Sequence, residues 1–169
     1  MTRIPSILAG AALSTMLGAV PALANVEVTF REGAPKDRFI IANTGGCAPG
    51  AVDVTIDLSG SSSGLIFDVT DAGAGVEVFQ PFVLVSGQSF VISAPVVKDG
   101  DNKVTLSLSN LIKGQPVAFT VDVDDTAGAR EITVSGSEIE GAGISVSGGT
   151  SGTFGSNAVA LAKLPACKS

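Results

Sequence analysis

The residues best suited to chemistry in this chain are aspartates. Asp122, Asp124 and Asp125 close a stretch of alternating apolar and polar residues, Asp99, Asp101 and Asn102 surround Gly100, and Asp68 and Asp71 form a third group. Side chains two apart on a strand share a face at roughly 7 Å, so Asp122 and Asp124 present two carboxylates to the same side. Calcium takes roughly six to eight oxygens, commonly from adjoining loops. Were segments 99–102 and 122–125 to meet at one end of the fold, Asp99, Asp101, Asp122, Asp124 and Asp125 would form a calcium site. The run is not an EF-hand loop: counted from Asp99, its sixth residue is Val104 and its twelfth Asn110, where that loop needs Gly and Glu. The plainer reading of the same acids is turn caps and solvated faces. Paired carboxylates also serve glycoside hydrolysis when roughly 5–10 Å apart in a cleft. Asp57-Leu58-Ser59-Gly60 is one residue longer than the Asp-Ser-Gly of an aspartic protease.

Composition removes most other chemistry. The chain has 169 residues, with 2 Cys, 8 Phe and no His, Trp or Tyr. Without His there is no Ser–His–Asp triad, no His-ligated zinc and no imidazole base. Two Cys cannot hold an iron–sulfur cluster. With 10 Lys+Arg against 16 Asp+Glu, for a net charge of −6, the balance argues against a nucleic-acid partner, which needs clustered cations. The usual Trp and Tyr platforms for sugars and bases are missing. No enzyme is expected from this set.

The N-terminus reads as an export signal. Met1-Thr2-Arg3 is a short positive start, Ile4 to Val20 carries no charge, and Pro21-Ala22-Leu23-Ala24 offers an Ala-x-Ala cleavage site. This is the order of a cleavable signal peptide. An anchor would need about 20 apolar residues and a stop signal, and Pro21 breaks the run. Residues 1–24 are therefore read as a signal peptide and 25–169 as one domain, with no membrane span after cleavage. The expected location is secreted, in the periplasm or outside a bacterial cell. That compartment is oxidising, and Cys47 and Cys167 allow one pairing. A bond between them would close a loop of about 120 residues and contribute roughly 4–5 kcal/mol by chain entropy.

Stepping along the rest of the chain, period-2 alternation recurs. Val26, Val28 and Phe30 alternate with polar residues; so do Val52, Val54, Ile56 and Leu58; Val104, Leu106 and Leu108; and Val117, Phe119, Val121 and Val123. Shorter runs lie at Asp37–Ala42, Leu65–Val69, Val76–Phe79, Phe82–Val85, Ser89–Ser93, Ile132–Ser135, Ile144–Ser147 and Asn157–Ala162. β-Branched and aromatic residues suit strands, and Gly, Asn and Asp punctuate them. About a dozen strands at this spacing predict an all-β fold, an antiparallel two-sheet β-sandwich of Ig-like or Greek-key type. Val78 to Val85 is nearly all apolar and reads as a strand buried on both faces and bent at Pro81, the alternative being an exposed edge for docking. Gly141 to Asn157 has only Ile144, Val146 and Phe154 to bury, and reads as short strands or a mobile loop.

Some of these segments resemble a known group. Val28-Thr29-Phe30-Arg31-Glu32-Gly33-Ala34-Pro35-Lys36-Asp37-Arg38-Phe39, then Asn43-Thr44-Gly45 and Cys47, is similar to the start of secreted bacterial proteins termed aggregation factor core, familiar from marine alphaproteobacteria. Asp57-Leu58-Ser59-Gly60 and Gly64-Leu65-Ile66-Phe67-Asp68-Val69-Thr70 resemble the same group. Val121 to Thr126 and Val134 to Ala142 are similar to segments of larger bacterial surface proteins. The resemblance implies likeness to a component of a sponge cell-adhesion proteoglycan, whose aggregation depends on calcium. This chain is one small domain where the sponge factor is a large assembly.

The expectation is a non-catalytic structural or adhesion protein of the cell surface or matrix, with calcium as the cofactor to consider. Self-association, or a surface glycan or protein, would supply the partner. The alternatives are a carbohydrate-binding module, which would have to rely on Phe, and a pilin-like fibre subunit that donates Val26–Phe30 to a neighbour. The exported protein is expected to begin at Asn25 and to hold a Cys47–Cys167 bond. N-terminal sequencing and intact mass before and after reduction check both.

Overall fold

Alternation decides the elements, and pairing decides their order. The computed structural model describes residues 23–72, 75, 78–127 and 133–166. Its strands are β1 (Leu23–Arg31), β2 (Asp37–Asn43), β3 (Val52–Asp57), β4 (Ile66–Asp68), β5 (Val83–Ser86), β6 (Val91–Ser93), β7 (Lys103–Leu108), β8 (Val117–Asp124), β9 (Gly143–Val146), β10 (Ser151–Thr153) and β11 (Val159–Ala166). One sheet runs β11-β1-β2-β8, with β4 and β5 both pairing to β8; the other runs β10-β9-β3-β7-β6. All pairings are antiparallel. The chain changes sheet repeatedly, as in a Greek key, and the result is the predicted all-β sandwich. No described helix is long and apolar enough to cross a membrane.

The core lies between the layers. Val26, Val28, Phe30, Phe39, Ile41, Val117, Phe119 and Val121 come from the first sheet, and Val54, Ile56, Val104, Leu106 and Leu108 from the second. Phe39 is its aromatic centre. Its ring centroid lies 5.1 Å from Phe30, 5.1 Å from Phe119 and 6.5 Å from Phe67. The paired register β1–β2 and β2–β8 places Phe30, Phe39 and Phe119 side by side.

Two flanks of the sandwich differ. At one, Thr150 N donates to Lys163 O at 2.8 Å and Lys163 N to Thr150 Oγ1 at 2.9 Å, so the β9–β10 hairpin is tied to β11. A Cβ on Gly152 would strike the Leu161 backbone, so this approach needs glycine. At the other flank, Gly87, at φ 73°, turns the chain from β5 towards β6. Val83, Val85, Ile92 and Val96 are exposed there.

Several expectations need correcting. Val78–Val85 is not a strand buried on both faces: pairing starts only at Val83, and Val83 and Val85 are 44% and 39% exposed. β5 has a partner on one side alone, so one hydrogen-bonding edge stays open, while Phe82 packs on Phe119 at 4.7 Å. Val78 and Phe79 are not strand, and Val76 lies outside the described residues. Thr133–Ser135 is not strand either, and Ile132 lies outside the described residues. There Glu138 folds back to accept from Ser135 N at 2.6 Å and Ser135 Oγ at 2.8 Å, making a turn whose Val134 and Ile139 plug the core. Gly141–Asn157 is the β9–β10 hairpin with its flanks, and Ile144, Val146 and Phe154 are all buried.

β1 is already paired at Leu23, and its register from Asn25 opposite Lys163 through Thr29 lies wholly beyond the expected cleavage point. Cys47 follows the end of β2, where Asn43 Nδ2 donates to its carbonyl at 2.7 Å. Cys167 lies outside the described residues. Replacing Phe39 by Ala is expected to cost about 3–5 kcal/mol, read as a lowered urea midpoint. Phe82→Ala, at the half-buried rim, is expected to cost clearly less.

Candidate functional site

β8 is buried along its whole length, on both faces. Its inward side chains are apolar; its outward ones are Ala118, Thr120, Asp122 and Asp124. β4 pairs with the end of β8, setting Asp68 directly opposite Asp122. Gln80 bridges the pair: its carbonyl accepts Asp122 N at 3.1 Å and its amide donates to Asp68 O at 3.3 Å. On the other side of β8, β2 begins with Asp37, opposite Val121. Asp37 Oδ1 accepts Gly33 N at 3.0 Å and Oδ2 accepts Val123 N at 3.2 Å, so Asp37 also closes the β1–β2 turn.

Four carboxylates are thereby gathered out of water. Asp37, Asp68 and Asp124 are each 1% exposed, and Asp122 is 3% exposed. Asp122 Oδ2 is buried with no hydrogen-bond partner. A Cβ built on Gly75 would overlap Asp68 Oδ2 and Asp124 Oδ2 together. Both oxygens therefore lie against the Gly75 backbone, in the place a side chain would take. Among the described residues no group of three or more acidic side chains stands placed to hold a metal ion.

The electrostatics follow from this crowding. Burial pushes the Asp37 carboxyl up to about 8, the Gly33 amide opposes it, and the charges of Asp122 and then Asp124 add to it. Burial likewise pushes Asp122 up to about 7, helped by Asp124 and Asp68 and opposed by the Val123 amide. A buried carboxylate must be paired, protonated or bound to a cation.

The expected calcium set is only partly assembled. Asp122 and Asp124 share the site as alternation required. Asp125 is buried one residue on but falls on the alternate parity. Asp99 and Asp101 serve turns instead. Asp99 Oδ1 accepts Val69 N and Thr70 N, both at 2.7 Å, and its other oxygen accepts the Thr70 hydroxyl. That hydroxyl first, and then the amides of Val69 and Thr70, hold the Asp99 carboxyl below its ordinary range. Asp101 Oδ2 accepts Lys98 N at 2.9 Å. Their loop does reach β4, through Phe67 N to Asp101 O at 2.8 Å and Gly100 N to Phe67 O at 3.0 Å. Sequence reasoning missed Asp37 and did not place Asp68 with Asp122. The one available signal was an acid at the start or end of a strand, where alternation calls for an apolar residue or solvent.

The raised carboxyls fix a sign. A group with a higher pKa folded than unfolded contributes stability below its unfolded value and loses it as pH rises through the folded one. In chelator, the melting temperature is therefore expected to fall between about pH 4 and about pH 8 as Asp37 and Asp122 ionise. Asp57 and Asp99, both held low, act only below this window. A scanning-calorimetry series across pH checks it, and Asp37→Asn should flatten the slope.

Set beside known proteins, the chain matches no family model, no curated protein and no solved structure.

Proposed function

We propose that this is an exported, non-catalytic β-sandwich of structural or adhesive type, whose fold is reinforced by a divalent cation, calcium above all. Asp68, Asp122 and Asp124 would hold it, with Asp37 behind them. The observation that carries the reading is the burial of Asp68, Asp122 and Asp124 on neighbouring strands, with Asp68 and Asp124 meeting at Gly75 and Asp122 Oδ2 buried without a hydrogen-bond partner. Hard oxygen donors suit calcium. The cation would remove the mutual repulsion that burial imposes near neutral pH.

The export that the N-terminal segment suggests fits an adhesive setting, as do the resemblance to aggregation factor core proteins and the exposed apolar residues Val83, Val85 and Ile92. The Cys47–Cys167 bond belongs to the same proposal. Leu23 pairs with Ala166 while Thr44 N donates to Asn25 O at 3.0 Å. The end of β11 and the segment that leads to Cys47 thus both lie beside the first residues of β1. The fibre-subunit alternative loses support, because β1 is used within its own sheet, between β11 and β2.

Calcium at about a hundred times its dissociation constant is expected to raise the melting temperature by roughly 5–10 °C over chelator at pH 7.5. Asp122→Asn should abolish the rise, and Asp99→Asn should preserve it. Equal melting in calcium and chelator would sink the cation. Light scattering in the same buffers tests adhesion, where larger particles that dissolve on chelation are expected.

A further inference from the structure

Further along the same outer face of β8 lies an arrangement of opposite sign. The β1–β2 register sets Arg31 directly opposite Arg38, and the β2–β8 register sets Arg38 opposite Thr120. Like charges directly across a strand pair destabilise it. Neither Arg, nor Lys36 beside them, has an ion pair among the described residues. All three line a cavity of about 280 Å³ with Glu32 and Thr120. The Glu32 carboxylate is turned to the Gly136 amide at 3.0 Å. Thr120, 3% exposed, forms part of the wall, and its hydroxyl is buried with no partner. Three cations and an unspent hydroxyl around one space are what a multi-oxygen anion needs. Two guanidinium forks can each offer paired N–H donors, the ammonium a point charge, and the hydroxyl a short directional bond.

We propose that this cleft binds the sulfate or phosphate ester group of a hydroxyl-rich ligand, a sugar ester in the first instance. The cavity exceeds what a bare oxyanion fills. It adjoins a second of about 500 Å³ that shares Arg31 and Glu32 and is lined by Ser137, Ser156 and Asn157. Those hydroxyl and amide groups suit the hydroxyls of the carrier. They also spare the site the Trp or Tyr platform that neutral sugars use. No residue here belongs to the carboxylate cluster, so this inference stands or falls apart from the cation.

The test is a titration of the isotopically labelled chain, followed by amide NMR, with glucose 6-sulfate, glucose 6-phosphate, unmodified glucose and sodium chloride at matched ionic strength. Saturable shifts at Arg31, Lys36, Arg38 and Thr120 are expected with the esters alone, and the tighter ester names the ligand chemistry. Arg38→Gln, at an exposed position, should weaken binding at least tenfold. Thr120→Val, which keeps the volume, should weaken it several-fold. Shifts of equal size with chloride or with glucose would overturn the site, as would ester binding that survives both substitutions.

Discussion

A strand covered on both faces takes every polar group it carries out of water, and β8 is that strand. Its inward residues Val117, Phe119, Val121 and Val123 meet the aromatic core, the ordinary use of alternation. Its outward residues, Thr120, Asp122 and Asp124, would face water in a sandwich open on that side, yet they are buried too. Desolvating carboxylates is costly unless something offsets their charge. The chain has placed around this strand the ends of β2 and β4, the crossing at Gln80 and the side-chain-free cradle at Gly75. The polar chemistry of the molecule follows from that one choice of covered strand.

Two sites of opposite sign share this face. At one end Asp68, Asp122 and Asp124 converge; two residues back, Thr120 adjoins Arg38 and, across the hairpin, Arg31. Asp37 lies between Lys36 and Arg38 in the chain, and both its oxygens accept backbone amides. The β1–β2 turn is thereby fixed, and with it the positions of Lys36 and Arg38. A carboxylate used this way is part of the scaffold for both clusters.

Much of the fold was legible because alternation with β-branched residues says which face is oily, and the longest runs became β1, β3, β7 and β8. The pattern failed where local chemistry outweighed it. Val134 is apolar and looks strand-like, but Ser135 and Glu138 curl the backbone into a turn. Val83 and Val85 are apolar yet exposed, since an edge strand has nothing packed on one side. In the site, Asp122 and Asp124 were readable as sharing a face. Their burial was not, because a polar residue on the second face ordinarily means solvent. Asp68 and Asp37 join them only through pairings between segments far apart in sequence. Asp99 and Asp101, the closest imitation of a ligand loop by spacing, spend their oxygens on neighbouring amides. Local composition does not distinguish a turn cap from a cation ligand. The Arg31–Arg38 opposition becomes visible only once the hairpin register is known.

The two lateral margins of the sandwich are unequal: one is stitched through Thr150 and Lys163, and the other leaves β5 and β6 uncovered. A strand brought by a neighbour could pair at the second margin and not at the stitched one. Growth through strand addition would thus stop at a pair instead of running on into a filament. Any larger network would have to be knitted through some different part of the surface.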